Sequence, residues 1–539
     1  MEKVIPWDEL VDAYCLWMSI RHGRPAKSPR LVIRALILKH KQKWTDEETV
    51  LQIQENPYLQ YFCGYSNFSL SQPFAPSLFV EIRKRMGEEV FDRFEEVIQA
   101  RLESIQSGKQ NRDRNSEEGD GFGVTPEAVA ESAESDEAPE AKPGSDDVAL
   151  DEPELESESD PEPQGKLIID ATVAEQAIRY PTDLSTLNEA REISERLIDR
   201  LYPGSGLPKK PRTYRRKTRQ NFLAVAKKYK PRKNRLRSGI RRQLQYLRRN
   251  LGHIDTLLAR YAPPVEAVLG GLMPPPSKPF PTSLSYQHVR QLWVIRTVHD
   301  QQKEMYDKRL KRCDDRIVSI SQPHVRPIIR GKSAKSVEFG SKLSVSLGAN
   351  GLAHVDTIRW DAFNESGNLV AQVEAFKKRY GRYPAVVLAD GIYGTRDNRR
   401  YCKDRGIRFG GKPLGRPKKV TAANKEEVRK EKRQRRQDHL KRIPIEGKFG
   451  QGKNGYGLGR IRAKLINTSE AWIQAIFLVM NLMVVLRFFF ASKMVSIIRV
   501  IAVIQTHVDA SVQYDRLPVT SGRVASPALR CRLVGAVTF

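Results

Sequence analysis

Residues 117–162 prevent this chain from being one continuous globule. They hold eighteen Asp or Glu against one basic residue, Lys142, with Pro, Ser and Ala between them. Such a stretch cannot bury enough apolar surface to offset its ordering entropy, so a disordered acidic linker is expected over 106–165. Its charge of −17 lies in a chain whose total is +28, which leaves +45 on the remainder. A surplus of that size calls for a polyanionic partner, nucleic acid before an anionic membrane.

The 539 residues leave room for two or three domains on either side of the linker. Residues 1–105 read as a helical domain for DNA binding or dimerisation. Ser28-Pro29 offers an N-cap and a first-turn proline, and Leu31, Ala35 and Leu38 recur at helical spacing. Thr45 and Glu48 form a capping box for a second helix, which Asn56-Pro57 stops. That second helix, DEETVLQIQEN, is acidic and ill suited to a major groove. The first, with Arg30, Arg34, Lys39 and Lys41, suits phosphates better.

Beyond the linker, KLIIDATV (166–173) is a short apolar run rich in β-branched residues, read as a buried strand with Asp170 at its tip. Thr182 or Asp183 caps the helix that follows. Between Lys209 and Arg249 lie eighteen Lys or Arg and no acid, with Tyr214, Phe222, Tyr229 and Tyr246 interleaved. A basic helical insertion over 205–320 is expected to bind phosphates, with Arg215, Arg216, Lys217, Arg235 and Arg237 in that role. The proline-rich PPPSKPFP (274–281) interrupts it.

SVEFGSKLSVSL and AHVDTIRWDAF then alternate as paired strands around the turn 348–351, GNLVAQVEAFKKRYG is an amphipathic helix, and AVVLAD ends a second apolar strand at Asp390. The order strand, hairpin, helix, strand predicts an α/β fold: an RNase H-like mixed sheet over 166–204 and 321–492, with the basic insertion after its first strand. In open α/β sheets the site lies at the carboxyl ends of the strands, the edge both aspartates occupy. Two such aspartates and a glutamate from another element can hold two magnesium ions for phosphodiester chemistry.

The glutamate comes from HLKRIPIEGKFGQGK (439–453), where Arg442 precedes Glu446 by four positions and Lys453 follows it by seven. This spacing, behind LIIDAT and VLADGIYG, resembles bacterial insertion-sequence transposases of the DDE type, whose signature is Tyr, two residues, Arg, three residues, Glu, six residues, Lys. His439 stands where the signature has Tyr. The resemblance extends over most of residues 7–490 apart from the linker.

It implies that Asp170, Asp390 and Glu446 are catalytic metal ligands for two Mg2+ ions, with Mn2+ able to substitute. It also implies that Arg442, Lys453 and His439 contact DNA. The reaction implied is metal-dependent cleavage at the element's ends followed by strand transfer. The partners implied are double-stranded DNA, as terminal inverted repeats and target, and a second copy in a synaptic homodimer. A catalytically silent, transposase-derived repressor is the alternative.

Other features read blandly. Gly447 to Lys453 nearly spells a phosphate-binding loop, but Asn454 replaces the hydroxyl residue and no strand precedes it; NGYGLGRIR reads as a mobile basic loop. Asp183 and Asp397 read as helix-opening residues, and no motif places Glu338 or Asp361 at the site. The stretch 471–490 is nearly long enough to span a bilayer, yet Gln474, Asn481 and Arg487 interrupt it, so it reads as a buried core helix. The five cysteines form no CxxC pair, and the acidic N-terminus is no secretory signal. A soluble protein of the bacterial cytoplasm, associated with the nucleoid and without a membrane partner, is expected. The tail 493–539 has no decisive pattern.

Overall fold

The computed structural model describes residues 4–16, 18, 26–114, 162–260, 284–329, 337–416, 419–421 and 424–514. Of the expected acidic linker, residues 115–161 lie outside this set, as do the proline-rich break at 274–281 and the tail beyond 514.

The N-terminal part is helical: α1 (Trp7–Cys15), α2 (Pro29–Gln42), α3 (Asp46–Glu55), α4 (Pro57–Cys63), α5 (Leu78–Arg85) and α6 (Glu88–Arg114). Local chemistry sets the boundaries. The Glu48 amide donates to Thr45 Oγ1 at 3.0 Å, and the Thr45 amide donates to Glu48 Oε2 at 2.7 Å, closing the capping box of α3. Asn56 ends α3, and its side chain accepts from the Tyr58 and Leu59 amides to open α4.

Two cations expected to face phosphate are instead buried. Arg34 is 4% exposed and stacks over Trp7, while Lys39 is 1% exposed and pairs with Asp46 at 2.8 Å. Each carries a long apolar stem, and here the charged ends are matched inside the fold.

The next elements are β1 (Lys166–Glu175), α7 (Asp183–Leu201), α8 (Arg215–Ala226), α9 (Lys233–Leu258) and α10 (Tyr286–Asp307). α7, α9 and α10 share an apolar cluster around Leu187, Ile198, Leu247, Ile254 and Ile295. The basic residues of α9 therefore ride on a helix whose other face is core.

Then come β2 (Arg326–Ile329), β3 (Val337–Leu347), β4 (Ala353–Arg359), α11 (Leu369–Tyr380), β5 (Val386–Leu388), α12 (Arg396–Asp404), β6 (Arg408–Gly410), α13 (Lys425–Gly455) and α14 (Ile466–Tyr514). The fold is α/β with a mixed sheet in the order β2-β3-β1-β5-β6, and β4 also pairs with β3. β1, β5 and β6 run parallel; β3 lies antiparallel to β1, β2 and β4.

Alternation divides the sheet's side chains between two faces. Ile168, Leu343, Val345 and Leu388 pack with α13, α14 and the N-terminal helices. Leu167, Ile169 and Val387 pack with α11 and α12 around Phe376 and Tyr393.

α14 is the central pillar of the first face. Its segment Ile466–Met494 is long and apolar enough to cross a membrane, but 67% of the most apolar stretch is buried inside the protein. Asn481 uses its amide to bind both backbone groups of Ala353, at 3.0 and 2.9 Å, as a core helix must.

The segment after α13, expected to be a mobile loop, is pinned. Tyr456, Leu458 and Ile461 are buried, and Ile461 exchanges backbone hydrogen bonds of 2.8 Å with Glu175 and Ala177.

Candidate active site

Asp170 does not end its strand. β1 continues to Glu175 because β3 pairs with it along Ile168–Glu175, whereas the parallel pairing with β5 stops at Ile168 and Leu388. Asp170 therefore lies inside a strand, just past the point where its parallel neighbour ends. Asp390 lies two residues beyond Leu388, as Asp170 lies two beyond Ile168. Asp390 caps the short helical turn after β5 in an extended conformation, so the alternation of Leu388 and Ala389 between the two faces carries it to the face of Asp170. That face is the one α13 covers with Ile445 and Phe449, so Glu446 is delivered from the facing helix.

In α13 the signature residues share a side, since four and seven positions are near whole turns of a helix. Pro444 lies between Arg442 and Glu446; having no N–H, it gives Leu440 no backbone bond.

Arg442 ties two of the three carboxylates together. Its Nη1 donates to Asp170 Oδ2 at 3.0 Å and its Nη2 to Glu446 Oε1 at 2.5 Å. Arg442 and Asp170 are largely buried, and Glu446 is exposed. Asp390 accepts from the Gly391 amide at 2.7 Å, while Asp170 accepts from the Ala171 amide at 2.8 Å.

Burial pushes the Asp170 carboxyl above the usual carboxylate range; the Ala171 amide and Arg442 oppose the rise, and the charges of Glu365 and Asp390 add to it. A desolvated carboxylate beside other carboxylates is a place where a cation is stabilising.

The side chains of Asp170, Asp390 and Glu446 are of the chemical kind a divalent cation such as magnesium takes, hard carboxylate oxygens. In the conformation observed a guanidinium, that of Arg442, bridges Asp170 and Glu446. Among the described residues, no three acidic, histidine or cysteine side chains come close enough together to hold a metal.

A cavity of about 430 Å³ opens beside Asp390. Its floor is Leu388, Ala389 and Phe409, and its walls carry Arg399, Lys412, Lys432, Arg435 and Arg436 as well as His439 and Arg442. Asp438 in the wall is held by Arg408 at 2.7 and 2.9 Å. Sequence reasoning named His439 and Arg442 but missed the other cations, although KEEVRKEKRQRRQDHLKR announces a basic helix. It also missed Glu365, an acid after β4 that is paired with Lys342 at 2.9 Å and close enough to act on Asp170.

The competing acids are otherwise engaged. Asp183 accepts from Gln302 and Arg316 at the first turn of α7, and Asp397 lies in the first turn of α12. Asp361 pairs with Arg359, and Glu338 is buried in β3.

The expected DNA contacts of the insertion divide in two. Arg216 and Lys217 are exposed on the first turn of α8. Arg235 is exposed too, with a bond to the Ala224 carbonyl at 3.3 Å. Arg215 binds Asp199 at 2.5 Å and the Glu195 carbonyl at 2.9 Å, and Arg237 stacks on Tyr306. The acids absent from the run are thus supplied to Arg215 by α7. Lys453, two turns beyond Glu446, lies against Gly459.

Residues 387–483, which include Asp390, His439, Arg442, Glu446 and Lys453, match the family model described as Transposase DDE domain. Residues 1–85 match the model described as Transposase domain (DUF772). Over 107 residues the chain is 36% identical to an uncharacterised protein, ORF8 in the nfe locus of Rhizobium meliloti, a stretch covering 20% of this chain and 49% of that protein. The chain thus spans about half the length of the curated relative it matches. No solved structure matches.

The silent-repressor alternative finds no support in either family match. Two separate segments, one in the N-terminal helices and one spanning β5 to α14, match transposase models, and together these matches support an insertion-sequence transposase of the DDE type.

Proposed function

We propose that this transposase cuts DNA at the ends of its element and joins the freed ends to target DNA, using an RNase H-like core with Asp170, Asp390 and Glu446 as its catalytic acids. The observation that supports the reading is that Asp170 and Asp390 each follow by two residues the point where two neighbouring parallel strands stop pairing, while Arg442 links Asp170 to Glu446 on α13. The strand order, with β1, β5 and β6 parallel and β3 antiparallel beside β1, supports the RNase H-like assignment.

Asp170, Asp390 and Glu446 would hold the divalent metal, Mg2+ or Mn2+, which when bound activates the attacking oxygen and stabilises the leaving one. The chain's own groups orient the substrate. Arg442, His439 and Lys453 hold backbone phosphates near the scissile bond, and a planar guanidinium suits the paired oxygens of a phosphate. Arg399, Lys412, Lys432, Arg435 and Arg436 line the route by which the strand reaches Asp390. Arg216, Lys217 and Arg235 grip flanking duplex without regard to sequence.

In the first step water attacks phosphorus and the 3′ oxygen leaves; in the second, that 3′ hydroxyl attacks a target phosphodiester and displaces its 3′ oxygen. One phosphodiester replaces another, so joining needs no nucleotide cofactor. Two ends must be held together, which calls for a homodimer on DNA, working at the bacterial nucleoid.

The test uses purified protein, magnesium and DNA carrying the inverted repeats that flank the coding region. The parent nicks these ends, and Asp390→Ala binds them without cutting. Cleavage by Asp390→Ala at the parental rate would remove the site assignment.

A further inference from the structure

Arg442 makes two charge-assisted hydrogen bonds to two different carboxylates, Asp170 and Glu446, on two different elements. One of its four-residue neighbours on α13 is Glu446, so the helix itself sets half of the bridge; β1 supplies the other half. The guanidinium is largely buried, and Asp170 is 17% exposed. Around it the cavity walls place Lys432, Arg435, Arg436 and His439, all on α13; Lys432, Arg436 and His439 are exposed beside Asp390, and Arg435 is half-buried with a bond to the Glu431 carbonyl.

Resting on the reading that Asp170, Asp390 and Glu446 bind metal, we propose that Arg442 is a resident counter-ion that must be drawn away by a DNA phosphate before a metal can take Asp170 and Glu446. A guanidinium has only N–H groups and no lone pair to share, so the oxygens it binds cannot also be given fully to a metal. A phosphate offers the same planar fork a better paired acceptor than two separated carboxylates.

DNA and metal therefore favour each other's binding, with no direct contact between them required. Coupling of this kind is reciprocal: whatever DNA does to metal affinity, metal does to DNA affinity. The enzyme is then kept from carrying an activated oxygen while no DNA is in place.

The experiment titrates full-length protein with Mn2+, following the free ion by electron paramagnetic resonance, with and without a short duplex of arbitrary sequence. The parent binds Mn2+ about tenfold or more tightly with duplex than without. Arg442→Gln, which removes the charge, binds Mn2+ without duplex as tightly as the parent does with it, and duplex then changes nothing. Arg442→Lys, which keeps a charge but cannot span both carboxylates, lies between them. If Arg442→Gln loses its fold by circular dichroism, Arg442→Lys carries the decision.

Affinity equal to or weaker than the parent's in the folded variant overturns the proposal. Asp390→Asn added to Arg442→Gln separates the two layers: loss of the tight binding supports the ligand set, whereas its persistence places the ion elsewhere and overturns the metal-site reading on which this one rests.

Discussion

Asp170 and Asp390 stand at equal offsets beyond Ile168 and Leu388, the last paired residues of two parallel strands. Their side chains share one face, and the charge of Asp390 adds to the rise of the Asp170 carboxyl. Two residues that act as a unit lose function together. Asp170→Asn and Asp390→Asn are each expected to lower DNA cleavage by about a thousandfold or more, and the double variant by scarcely more than either. Strictly multiplicative losses would show that the two act separately.

The insertion offers a comparison within one helix. Replacing Arg216 and Lys217 with Gln should weaken binding to any duplex and flatten its salt dependence by roughly 0.9 in log–log slope for each phosphate no longer neutralised. Arg215→Gln, by contrast, breaks bonds to Asp199 and to the Glu195 carbonyl. Its main effect should be on thermal stability. A salt slope that Arg216 and Lys217 leave untouched would take α8 out of the interface.

Asp46 neutralises two buried cations at once, Lys39 at 2.8 Å and Arg83 at 2.6 Å. Burial raises its carboxyl, but the hydrogen bonds from Arg83 and the charge of Lys39 outweigh that and leave it below the ordinary value. Asp46→Ala strands both cations, and a loss of about 3–5 kcal/mol in urea unfolding is expected. A change within the range of ordinary surface substitutions would mean that the two cations find water instead.

Two histidines give stability an acid limit. His40 lies with Lys39, Arg83 and Asp46 around it; burial first, then Lys39 and Arg83, holds it well below its usual value. Burial first, then Arg290 and Arg326, brings His324 down to about 4. Both stay neutral in the folded protein while the unfolded chain takes up protons below about pH 6.5. The stability is therefore complete above that point and is lost as pH falls, by at most about 1.4 kcal/mol per pH unit for each group. His324→Gln should narrow the difference in urea midpoint between neutral and mildly acidic buffer. An unchanged difference would sink the assignment.

Gly340 faces Glu175 across the β1–β3 ladder, where a Cβ would stand 1.9 Å from the Ala174 carbonyl oxygen. No side chain can yield there, because the obstacle is backbone. Gly340→Ala should cost about 1–3 kcal/mol by the measure of an overpacked core. It should also disturb the strand that carries Asp170; a variant of parental stability and activity would show that the ladder can slide.

Much of the candidate site was legible because its spacing is set by regular elements. The apolar runs before Asp170 and Asp390 mark strands, and the four-residue step from Arg442 to Glu446 marks one helix face. What stayed hidden depends on partners remote in sequence. β1 runs past Asp170 only because β3, more than a hundred and fifty residues later, pairs with it as far as Glu175. Arg34 and Lys39 look like surface cations until Trp7 and Asp46 are seen beside them. The pairing of Arg442 with Asp170 crosses from helix to strand, and no spacing announces it. The loop after α13 has a glycine-rich, mobile look that its two backbone bonds to the end of β1 override.

Trp472, near the start of α14, has Lys39 and Arg83 against its ring and His40 packed edge-on to it. The helices at one end of the chain thus complete their packing on a residue translated far later. Until the ribosome has released that late helix, the early helices lack a surface to settle on, so a message cut short before it leaves a product with open apolar flanks, prey to proteolysis rather than a compact DNA-binding fragment.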